Sequence, residues 1–111
     1  MTNQNDHNPK LIFNVKDVEV AQTRSIPPRT FVIASGEART NATSPRLVRC
    51  AQPSIPGMLQ LDFEADDGPL QVITKVTAVY EIKEPHAFHQ VTVHAATNSI
   101  SREIPPGGKA K

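Results

Sequence analysis

Between Gly57 and Ala65 the chain alternates strictly. Leu59, Leu61, Phe63 and Ala65 take one parity; Met58, Gln60, Asp62 and Glu64 take the other. Side chains along a strand point to opposite faces at each step, so the segment predicts a strand with one apolar and one wet face. Asp66-Asp67-Gly68-Pro69 follows as a turn, because glycine accepts positive φ and proline cannot extend a ladder. Leu70 to Lys83 then runs without Gly or Pro and is rich in Val, Ile and Thr. Together the two arms predict a β-hairpin over 57–83. At ~3.3 Å per residue the second arm is longer than an ordinary strand, which predicts a break or bulge and service to both sheets.

The same reading extends outward from this segment. In Leu11 to Val20, Phe13 and Val15 share one parity and Val18 and Val20 the other, so a bulge at Lys16-Asp17 is needed to bring both pairs inward. Pro27-Pro28 ends that strand stiffly. Thr30 to Thr40 reads as a strand whose Val32, Ala34, Gly36, Ala38 row is small, a sign of close backbone approach. A short strand is expected over Arg46 to Ala51, a stiff proline-spaced loop over Gln52 to Gly57, and further strands over Phe88 to Thr97 and Ser99 to Ile104. Roughly six or seven strands with turn signals between them predict an all-β, antiparallel β-sandwich of immunoglobulin-like architecture. Its expected core is Leu59, Leu61, Phe63, Val76, Ala78, Tyr80, Val91 and Val93. The domain is expected over 11–104, between flexible tails at 1–10 and 105–111.

Composition sharpens this picture modestly. The chain has 111 residues, enough for one domain, with ten prolines and only four Phe and one Tyr, so the core is thin and the loops are many. The single Cys50 excludes an internal disulfide, and no leader or transmembrane run is visible, so a cytoplasmic location is expected, with leaderless export as the alternative. A net charge of +1 gives no global case for nucleic acid or a membrane as partner. Charge is nonetheless segregated along the chain. Residues 21–56 carry five arginines against one glutamate, and residues 57–84 carry six carboxylates against two lysines. Cross-strand pairing explains this blandly; two opposed docking surfaces explain it more sharply.

Candidate chemistry is sparse. His7, His86, His89 and His94 lack the set of four ligands, or three plus water, that zinc requires, and they read as solvated turn and strand histidines. Cys50 beside His89 or His94 is the one conceivable nucleophile–base pair. Its flanks, Val48-Arg49-Cys50-Ala51-Gln52-Pro53, hold no glycine turn or helix start to activate a thiolate, so a small buried hydrophobe is the better reading. Asp62, Glu64, Asp66 and Asp67 lack calcium-loop spacing and read as a wet strand face with turn aspartates. Asn41-Ala42-Thr43 matches a glycosylation acceptor, read as coincidence without a leader. No catalytic residue, cofactor or metal is expected.

Ser44-Pro45-Arg46-Leu47-Val48, Gln52-Pro53, Gly57-x-Leu59-x-Leu61-Asp62-Phe63-x-Ala65 and Val91-x-Val93-His94-Ala95-x-Thr97-Asn98 together resemble a group of small uncharacterised bacterial β-sandwich proteins. The resemblance implies the fold and a bacterial origin, and it transfers no functional residue. The functional expectation is a non-catalytic binding or assembly module acting through sheet edges or loops, as a homodimer or with a protein partner. Arg46, Arg49, Ser54 and Ile55 are the expected contact residues. The alternatives are a loop-inserting hydrolase inhibitor, using the stiff Gln52–Gly57 loop, and a Cys/His enzyme.

Overall fold

The computed structural model describes residues 9–50, 55–83 and 87–104. These form eight strands: β1 (Pro9–Leu11), β2 (Asn14–Gln22), β3 (Thr30–Ala38), β4 (Thr43–Arg49), β5 (Gly57–Asp66), β6 (Thr74–Ile82), β7 (Phe88–His94) and β8 (Ser99–Glu103). Two sheets pack together. One has three strands in the order β2-β3-β6; the other has five, built around β5. Along one side of β5 lies β4; along the other lie β7 and, further on, β1, with β8 outside β7. Among the described residues no helix is long and apolar enough to cross a membrane.

The alternation in β5 does what its sequence predicts. Leu59, Leu61, Phe63 and Ala65 are buried, and the wet row is partly exposed except at Asp66. They face Val76, Ala78 and Ile82 of β6 and Val32 and Ala34 of β3 across the sandwich, and each large side chain so buried contributes about 1.5–3 kcal/mol. Val91 and Val93 of β7 complete the predicted core, while Tyr80 is only partly buried against it. In β3 every second residue from Thr30 to Ala38 is buried. The small row there has a direct cause: a Cβ on Gly36 would collide with the backbone carbonyl of Asn14.

Three expectations are corrected. The 57–83 hairpin does not form, because β5 and β6 belong to opposite sheets and Asp67–Ile73 is a crossover. Both arms turn their apolar rows toward the same core, so they meet face to face rather than edge to edge. The sheets are also not wholly antiparallel, since β5 and β7 run parallel with Leu59 beside Val91 and Leu61 beside Val93. Leu70–Ile73, expected as strand, lies outside any ladder: the chain bends at Leu70, Val72 N donates to Leu70 O at 3.1 Å, and Leu70, Val72 and Ile73 are exposed.

The bulge in β2 sits where the parity fault required it. The register steps from Val15↔Gly36 to Asp17↔Ser35, leaving Lys16 as the extra residue and both Val15 and Val18 buried. The chain changes sheets just before, at Ile12-Phe13, so Leu11 pairs with β5 whereas Asn14 pairs with β3. Pro9 and Lys10, assigned to the tail from sequence, are part of this β1 pairing. Residues 1–8 and 105–111 lie outside the described residues.

Candidate docking surface

Among the strands that bound the two sheets, β2, β4 and β6 handle their outer backbone groups differently. On β2, the side chain of Asn98 accepts from Val15 N at 2.9 Å and donates to Val15 O at 2.8 Å, and Arg102 Nε donates to Val18 O at 3.0 Å. Those contacts cap β2 and tie it to β8. On β4, Pro45 and the left-handed Ser44 (φ 54°) disrupt the ladder near its start, where its register to β5 slips. Proline and irregularity are the usual means of blunting an edge. β6 has nine residues, no proline and no bulge. It pairs with β3 from Thr74 to Ile82 without a register slip, and among the described residues its other edge meets no backbone partner. β4 packs alongside that edge across the seam between the sheets.

The outward row of β6 is Lys75, Thr77, Val79 and Glu81. Val79 is 57% exposed, beside Ile33 of β3 in the ladder. At its far end Glu81 receives a two-pronged bond from Arg29, with Nε and NH2 both at 2.9 Å, and a third from Lys83 at 3.1 Å. Those bonds, that of Arg29 first, lower its carboxyl to about 2. Lys75 at the other end has no ion-pair partner among the described residues. Where the seam opens beside Ile82, a pocket is lined by Arg49, Leu59, Tyr80, Ile82, Lys83 and Phe88. The Arg49 guanidinium lies over the Phe88 ring, 5.3 Å from its centre, within cation–π range.

The four contact residues expected from sequence separate here. Arg49 lines the pocket. Arg46 is spent internally: its guanidinium donates to Ser44 O at 2.7 Å and Asp66 Oδ1 at 3.0 Å and stands 3.9 Å from Glu64, its ladder partner. Ile55 is 51% exposed and bridged to Met58, and Ser54 lies outside the described residues. The charge segregation is thus partly internal pairing, as Arg29–Glu81 and Arg46–Asp66 join the basic half to the acidic one. Lys75 and Tyr80 were not singled out from sequence as site residues. Their signal was the uninterrupted Val/Thr run, which shows a strand but not that its far side is open.

The chemistry-bearing residues are engaged elsewhere. On the wet face of β5, the Cys50 thiol donates to Asp62 Oδ1 at 3.1 Å, while His94 Nε2 bonds Gln60 Oε1 at 3.0 Å. Burial first, then the Asp62 carboxylate, push the thiol up to about 12. Cys50 is half-buried rather than fully so. His89 Nδ1 bonds Gly57 O at 3.1 Å, and His7 and His86 lie outside the described residues. Among the described residues, no three His, Cys, Asp or Glu side chains converge as a metal site. Asp67 is held below the usual carboxylate range by the Thr40 hydroxyl, at 2.6 Å, and by Lys10. Comparison with known protein families, with curated proteins and with solved structures finds no match.

Proposed function

We propose that the chain is a non-catalytic binding or assembly module, immunoglobulin-like in its two-sheet layering, that takes an extended segment of a partner as an added strand on β6. The observation that carries this is the contrast among three of the edges: β2 is capped by Asn98 and Arg102, β4 is blunted by Pro45, and β6 is long and regular, with β4 packed beside it but no backbone partner on its outer side among the described residues. An unpaired edge supplies affinity through main-chain hydrogen bonds, and alternate side chains supply specificity. The thiol of Cys50, bound to a carboxylate and pushed toward its neutral form, supports the non-catalytic side of the reading.

Peptides selected from a displayed library against the chain test this. Selected ligands are expected to slow amide exchange along Thr74–Ile82. Ligands that bind while leaving β6 exchange unchanged overturn the edge reading. Light scattering across a concentration series reports whether the added strand comes from a second copy.

A further inference from the structure

We infer that the strand taken up by β6 is an acidic one: an extended segment with carboxylates near both ends, apolar or β-branched between them. The inference rests on β6 being the working edge, and it adds the chemistry of the partner. The border of that edge is cationic. Lys75 stands at one end, where its ladder partner Glu37 is bonded by Asn14 and lies 3.9 Å from Lys16; Arg49 and Lys83 stand at the other, where Lys83 shares Glu81 with the two-pronged Arg29, so the cations outnumber that carboxylate. Between the two ends the outward row is uncharged, Thr77 and Val79.

A strand laid along this edge sends alternate side chains to the outer face and toward the seam. Outer-face side chains pass Lys75 and the exposed Val79. Seam-facing ones reach the pocket, where Leu59, Tyr80, Ile82 and Phe88 take an apolar group, while a carboxylate on the outer row meets Lys83 and Arg49 at its mouth. From Lys75 to Lys83 the span is about 26 Å at ~3.3 Å per residue, so the two carboxylates are about eight residues apart. A second copy of β6 fits less well. In the antiparallel register centred on Ala78 it brings Lys75 to Glu81, whose charge Arg29 and Lys83 already offset. In the register centred on Val79 it sets Lys75 against Lys83.

The test uses two blocked, fluorescein-labelled Val/Thr peptides of about nine residues, one with glutamate at both ends and one with lysine. Fluorescence anisotropy at low and high salt reports their binding to the intact chain. The glutamate peptide is expected to bind at least about tenfold tighter, to lose that margin in high salt, and to slow amide exchange along β6. A chain carrying Lys75→Glu and Arg49→Glu, both at the border and outside the core, is expected to reverse the preference. Equal binding of both peptides with β6 protected overturns the acidic inference and leaves the edge reading standing. Binding by neither, alongside selected ligands that also leave β6 unprotected, overturns both. Concentration-dependent dimerisation without peptide binding overturns the acidic partner in favour of a second copy.

Discussion

The Cys50 thiol and the Glu81 carboxylate, on the outer faces of different sheets, show how single neighbours set a group's chemistry. A carboxylate accepting from a thiol disfavours the thiolate, the opposite of what a nucleophile requires. Alkylation of folded chain is therefore expected to be slow at mildly alkaline pH, and Asp62→Asn is expected to speed it and lower its pH midpoint toward the ordinary thiol range. Rapid labelling of the unmodified chain near neutral pH would return the Cys/His enzyme to consideration. Glu81 is shifted the other way, from an ordinary value of 4.5 to about 2. A lowered carboxylate stabilises the fold above its unfolded value and loses that contribution as pH falls from about 4.5 toward 2. The urea-midpoint gap between unmodified chain and Glu81→Gln, present at neutral pH, should close across that window; a constant gap would mean that Arg29 and Glu81 contribute by packing alone.

At the scale of elements, periodicity reveals which face of a strand is buried and says little about which strand lies beside it. Leu59, Leu61 and Phe63 announce their burial, and so do Val76 and Ala78, but nothing in either row distinguishes a neighbour in the sheet from an opposite across the core. The turn residues Asp66 to Pro69 suit a reversal, and the crossover to the second sheet uses that reversal just as a hairpin would. The site suffered the same ambiguity. Arg46 and Arg49 look alike in sequence, and only the register of β4 against β5 shows that Arg46 faces Glu64 while Arg49 reaches the seam. The β2 bulge was legible because Val15 and Val18 break alternation by one residue. Removing that residue tests the point. Deleting Lys16 restores ordinary alternation between Val15 and Val18, so the variant is expected to fold with a urea midpoint near that of the parent. Deleting Ile33 from β3 instead flips one half of an unbroken row and should abolish folding. Equal loss from both deletions would mean that the bulge is itself required.

The whole molecule is closed unequally along its two seams, and the proposed role of β6 rests on this asymmetry. At the β2/β8 seam the turn after β7 grips the chain where it changes sheets. Ala96 N and Thr97 N donate to Ile12 O and Phe13 O, and Asn98 satisfies both backbone groups of the buried Val15. At the β4/β6 seam the strands lie close together, with no backbone bond between them among the described residues. Asn98 is exposed and its two bonds to Val15 are part-buried, so removing it opens those backbone groups to water at about 0.5–1.5 kcal/mol for each bond lost. Asn98→Ala is therefore expected to lower stability by about 1–3 kcal/mol and to quicken exchange of the Val15 amide. At the other seam Arg49→Ala leaves no buried polar group unpaired, and a surface change of that kind stays within about 0.5 kcal/mol. Denaturant titrations of the two variants decide whether the division holds. Comparable losses would show that the β4/β6 side also bears the closure of the sandwich, and a seam that bears closure is not free to open for a partner strand.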